Sequence, residues 1–168
     1  MITSSDSIRV AQTLVHQCQQ AHQLGIAALA QRCQADRRLN AEQLDQHQLL
    51  SYEMAWTSAE LLAANTALIQ VSASPDSLDT DLVLVFTVEA MTNVLTRLDM
   101  LFFELSLDPS VLNQLRVSPA WVDLRRVAGT EAALAKIGRR LQVSQAELGA
   151  VQLDESIRMV QESFQRFG

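Results

Sequence analysis

An all-α fold is what this sequence predicts: a helical bundle of three long antiparallel helices plus shorter C-terminal helices. Three observations predict it. Apolar residues recur at three- and four-residue spacing over long runs. Proline and glycine are scarce, three and five in 168 residues, which leaves few tight turns for a β-sandwich. The breaks that do occur carry helix stop and start signals. Hydrophobic residues make up 48% of the chain, enough for a sizeable core. The expected division is residues 1–150 as a helical bundle domain and 151–168 as a terminal amphipathic helix.

The first helix is predicted from Ser5 to Asp36. Ile8, Ala11, Val15, Cys18, Gly25, Ala28 and Leu29 fall on one face, and Gln12, Gln19, Gln20, Gln23 and Gln31 on the other. Ala11, Gly25 and Ala28 are small enough to admit a partner helix closely. Arg37 to Asn40 is the break. Asn40 suits an N-cap, with Gln43 completing a capping box. The second helix is predicted from Ala41 to Val71. Its expected buried stripe is Leu44, Tyr52, Ala55, Ala59, Leu62, Ala63, Thr66 and Ile69. Ser72 to Ser77, with Pro75 inside it, stops this helix and caps the next.

The third helix is predicted from Ser77 to Leu107 and is apolar nearly all round. Its Val-rich start resembles a buried strand, but length and the lack of a pairing partner favour helix. A helix apolar on most sides is either central in a bundle or covered by a second chain. Glu89, Asn93, Thr96 and Asp99 are its polar residues and mark a solvent side. Asp108-Pro109-Ser110 ends it, and a short helix follows from Pro109 to Leu115. Ser118-Pro119 is an N-cap with proline at the first helical position, opening a helix to Val127. Gly129-Thr130-Glu131 starts another, to Leu141. A turn from Val143 stops near Gly149. Leu153-Asp154-Glu155 opens the last helix, with Ile157, Val160, Phe164 and Phe167 as its apolar stripe. That helix stays amphipathic to its end, as the beginning of a longer body would.

Charge excludes some functions. The net charge is −6, and a duplex-binding surface needs a basic face, so nucleic acid is not an expected partner. Residues 40–110 hold eleven acids and one base, Arg97; the segments on either side are mildly basic and could attract this acidic middle. No apolar run of membrane-spanning length occurs, and Met1 to Asp6 lacks the basic flank of a signal peptide. Cys18 and Cys33 lie on one predicted helix, roughly 22 Å apart, beyond disulfide reach. Free thiols suit a reducing cytoplasm.

The chemistry-bearing residues form no recognisable machine. His16, His22 and His47 match no metal-binding spacing, so no metal is expected. No nucleophile elbow and no Gly-rich phosphate loop is present. Cys18 and His22 stand four apart on one helix face, which admits a thiolate–imidazole pair or, more simply, a buried Cys beside a surface His. Glu53 and Glu60 are about 10 Å apart along a helix axis, too far to share a proton. No catalytic, cofactor-binding or metal residue is assigned. Tyr52, Trp56, Phe102, Phe103 and Trp121 read as core anchors, and Trp121 or the Phe102–Phe103 pair marks an interface wherever it is exposed. The candidate interface residues are therefore Phe102, Phe103, Trp121, Ile157, Val160, Phe164 and Phe167.

Two stretches carry a resemblance. Gln48-Leu49-Leu50-Ser51-Tyr52-Glu53-Met54-Ala55-Trp56 resembles the Gln-His-x-x-His-Gly-Leu-Ala-Trp segment in the helical N-terminal extension of acyl-CoA dehydrogenases of the methylsuccinyl-CoA dehydrogenase type. Gln48, Ala55 and Trp56 match; Leu49, Tyr52, Glu53 and Met54 depart from the pattern. Leu153 to Phe167 is similar to the helix that opens the catalytic portion of acyl-CoA dehydrogenases, an Ile-Arg … Phe-Arg-Arg-Phe pattern, with Gln165 in place of an arginine. The resemblance implies a non-catalytic accessory or assembly domain of an FAD-dependent enzyme. FAD would belong to a longer parent and not to this chain. The implied partner is the catalytic body or a second copy of this chain. The residues alone leave two other readings: a stand-alone helical interaction or dimerisation module, and a small-ligand binder using a pocket between the second and third helices. Self-association through the third and last helices is expected.

Overall fold

The computed structural model describes residues 4–35, 38–72 and 77–143. Helix α1 spans Ser4–Arg32. Its predicted stripe is buried apart from half-buried Ala28, with Ala11, Val15 and Cys18 fully enclosed. The small residues act as expected: a Cβ at Gly25 would lie 2.7 Å from Met54 Cε, so the helix carrying Met54 comes close at this point. Helix α1 ends before Asp36, where a miniature hairpin takes over. Strands β1 (Gln34–Ala35) and β2 (Arg38–Leu39) pair antiparallel, and Asn40 N donates to Cys33 O at 2.7 Å.

The second predicted helix is two. Helix α2 (Ala41–Gln46) starts at Asn40, whose Oδ1 accepts from Gln43 N at 3.1 Å; the return bond of a capping box is absent, and Gln43 Oε1 has no partner. Helix α3 (Gln48–Val71) begins after His47, whose backbone leaves the helical region at φ −111°, ψ 28°. Asp45 and His47 are weak helix formers, and the break falls on them. Helices α1 and α3 run antiparallel: Gln12 Nε2 donates to Ser72 Oγ, and further along His22 meets Ser58.

Helix α4 spans Leu78–Glu104, capped by Ser77, whose Oγ accepts from Thr80 N at 3.1 Å. It is a helix throughout its Val-rich start. It stops before Leu107 because Ser106 adopts φ 54°. Leu107 N donates to Phe102 O and Ser106 N to Phe103 O, the paired bonds of a Schellman ending in which glycine is the usual residue.

The C-terminal third adds α5 (Ser110–Val117), α6 (Pro119–Ala128) and α7 (Glu131–Val143). Ser118 Oγ caps α6 by accepting from Trp121 N, and Pro119 occupies the first turn. These helices pack on α1 and α4. Arg116 fastens α5 to α4 by donating to Leu95 O at 2.8 Å and pairing with Asp99. Arg140 pairs with Asp81 and fastens α7. Both links join the acidic middle to the basic C-terminal third. The turn near Gly149 and the terminal helix from Leu153 lie outside the described residues.

The core sits between α1, α3 and α4. Leu14, Leu68, Met91, Leu98, Leu101 and Phe102 are fully buried there, each contributing about 1.5–3 kcal/mol of apolar burial. Thr57 and Thr87 are buried too, and each hydroxyl donates to a carbonyl of its own helix, Glu53 O and Val83 O, both at 2.7 Å. Among the described residues, no helix is long and apolar enough to cross a membrane.

Candidate functional site

Helix α3 has two apolar faces. Leu50, Met54, Thr57, Leu61, Ala64, Leu68 and Val71 face α1 and α4 and are buried. The stripe expected in the core points the other way. Tyr52 (61% exposed), Leu62 (65%) and Ile69 (61%) stand on the outer face with exposed Ala55, Ala59, Ala63 and Thr66, and Leu44 is exposed on α2. The same outer face also carries Leu49 (65%) and Trp56 (48%), the latter expected as a core anchor. The correction has a physical origin. Both stripes keep helical spacing, so periodicity alone does not say which one meets the neighbours.

The acidic residues of α3 flank this face without entering it. Glu53 and Glu60 turn toward α4, where Arg97 holds both: Nε lies 3.2 Å from Glu53 Oε2, and Nη1 lies 3.6 Å from Glu60 Oε2. The second contact is an ion pair without a hydrogen bond. The same guanidinium lies over Trp56 at 5.7 Å, and Trp56 stacks with Tyr52 at 6.2 Å between ring centroids. Two aromatic rings are thus braced at the surface by one half-buried arginine, an arrangement worth about 0.5–2 kcal/mol in cation–π attraction. The two carboxylates are engaged with a cation, not with each other.

The predicted interface residues separate. Phe102 is 1% exposed and Trp121 is 4% exposed, the latter with Arg125 above its ring at 5.8 Å. Both are core residues, so neither offers a surface. Phe103 is 83% exposed at the end of α4. Adjacent helical residues point about 100° apart, so the pair divides between core and solvent. Ile157, Val160, Phe164 and Phe167 lie outside the described residues. Glu89, Asn93, Thr96 and Asp99 face solvent, as predicted.

Cys18 and His22 do not form a thiolate–imidazole pair. Burial pushes the Cys18 thiol up to about 12, against a smaller opposing pull from the Arg116 guanidinium. His22 is itself buried. Its Nε2 lies 2.7 Å from Ser58 Oγ, and its Nδ1 has no partner. Burial lowers its pKa and keeps the ring neutral. Clefts of about 400 Å³ lie between α1 and α5 and beside α7, but α3 lines neither. Among the described residues, the outer side of α3 carries five large exposed apolar side chains on one helix face.

No family model and no curated protein matches this chain.

The signal that could have found this site was present in the sequence. From Leu49 to Gln70, the helix carries two complete apolar stripes and only Glu53 and Glu60 as charges. A helix with two apolar stripes needs two partners.

Proposed function

We propose that this chain is a non-catalytic helical assembly module that works by protein–protein contact through the outer face of α3. One observation carries the reading: among the described residues, an uncharged apolar face, with aromatic rings held in place by Arg97, lies exposed on the side of α3 away from the buried core. Exposed apolar patches of this extent mark interaction surfaces. The segment that resembles the acyl-CoA dehydrogenase extension, Gln48 to Trp56, supplies part of that face. On this reading the longer parent is an acyl-CoA-dehydrogenase-like flavoenzyme that holds FAD in its own body, and the module contributes packing and assembly. A cytoplasmic location belongs to the same reading and rests on the free thiols Cys18 and Cys33.

A second reading, a stand-alone dimerisation module, is favoured by the absence of charge on the face, because two identical acidic chains meet there without repulsion. Size-exclusion of a native extract with immunodetection tests the assembly function. The chain is expected to elute well above 18.6 kDa, and the Trp56→Ala, Leu62→Glu double variant to move to the size of the free chain. Elution of both at the free size would remove the assembly reading.

A further inference from the structure

We infer that a second copy of this chain covers the outer face of α3, in an antiparallel, isologous contact centred on Ala59. The inference rests on the assembly reading and names its partner.

The first argument is the pattern of the face. Its apolar positions are symmetric about Ala59. In an antiparallel pairing, Leu49 meets Ile69 of the other copy, Tyr52 meets Thr66, Ala55 meets Ala63, and Trp56 meets Leu62. Each direction repeats the other, which is the requirement of a two-fold contact. Large side chains oppose medium ones toward the ends. Alanines meet at the crossing, where two helix backbones come closest.

The second argument is charge. The chain is acidic, and residues 40–110 concentrate that charge. A copy of the same chain can approach only where acids are missing or neutralised. The outer face of α3 meets this condition: Glu53 and Glu60 are drawn aside and paired by Arg97.

The third argument is extent. The five large side chains, each roughly half to two-thirds exposed, and the intervening alanines make one apolar strip from Leu49 to Ile69, about 30 Å long, and a two-fold contact covers that strip on both copies at once. Among the described residues, the main contacts of α3 are with α1, α4 and α2, and the short helices α5, α6 and α7 pack chiefly on α1 and α4.

Sedimentation equilibrium of the purified full chain over a wide concentration range tests the inference. The expected species has twice the 18.6 kDa chain mass. Ala59→Glu and Ala59→Lys are each expected to weaken association by at least about 100-fold, because like charges meet at the two-fold axis. Circular dichroism should show both variants folded, since residue 59 is exposed and both replacements are good helix formers. An equimolar mixture of the two should regain the dimer. A wild-type chain that stays monomeric overturns the inference, as does a dimer indifferent to both substitutions or a mixture that fails to recover. A monomer in purified form that still elutes in a large assembly from native extract would overturn the second-copy inference and leave the assembly reading standing, with a foreign partner as the cover.

Discussion

Helices α3 and α4 are alike in sequence and unlike in surroundings. Both are long, and both are apolar on nearly every side. Helix α4 has α1 and α3 on one side and the short helices α5, α6 and α7 beside them, and the strip it leaves to solvent is largely the polar one of Glu89, Asn93, Thr96 and Asp99. Its composition is explained by the fold around it. Helix α3 rests on α1 and α4, touches α2 at its start, and has an open apolar face beyond them. The same composition therefore has two causes. One helix is apolar because it is central; the other is apolar because it has a second surface to cover. Sequence hydrophobicity records how much burial a helix needs, and only the packing shows how much of it the chain itself provides.

The sharpest test of this contrast is at the end of α4. Phe102→Ala is expected to cost about 3–5 kcal/mol in urea unfolding, because the ring is enclosed by the core. Phe103→Ala, one residue on, is expected to stay within about 0.5 kcal/mol of wild type, because that ring stands in solvent. Equal costs would break the distinction between the enclosed and open sides of α4.

A smaller effect concerns the seam between α1 and α3. His22 is neutral in the fold, with its pKa lowered by burial, while the unfolded chain takes up a proton near the ordinary value of about 6.5. Between the folded and unfolded values the unfolded state binds more protons, so stability falls as pH falls. The urea midpoint should decline from pH 7.5 to 5.5, and His22→Gln should flatten that decline. Hydrogen exchange at the lower pH should loosen α3 before α4. An unchanged slope in the variant would remove His22 as the cause.

The smallest expected effect is a gain. Ser106 holds a left-handed conformation that costs a side chain about 1–2 kcal/mol, so Ser106→Gly should stabilise the protein by about 1 kcal/mol. A shift of thermal midpoint in the opposite direction would show that the serine hydroxyl matters more than the backbone.

Much of the architecture was legible in the residues because it depends on local chemistry. The caps at Asn40, Ser77 and Ser118 need only a side-chain oxygen and a following backbone N–H, and all three form where the sequence places them. The predicted face of α1 is buried because its opposite side is glutamine-rich and leaves no choice. What escaped depends on neighbours. The kink at His47 and the serine ending of α4 lack the proline or glycine that usually announces them. The hairpin of Gln34–Ala35 with Arg38–Leu39 is too short for any periodicity. The outer face of α3 carries a stripe that periodicity assigns to the core just as readily, because two apolar stripes compete on one helix. Phe102 and Trp121 read as core anchors that become interface residues only where exposed, and the packing encloses both.

The buried hydroxyls of Thr57 and Thr87 lead to one last consequence. Each bonds within its own helix, so neither marks how α3 lies against α4. The polar links that the structure shows across this seam run through Arg97. Aliphatic side chains resist sliding through shape alone, and shape nearly repeats after each helical turn. Arg97 thus acts as the key in an otherwise smooth lock. One guanidinium, gripping two carboxylates seven residues apart, tells the hairpin which of several similar alignments is its own.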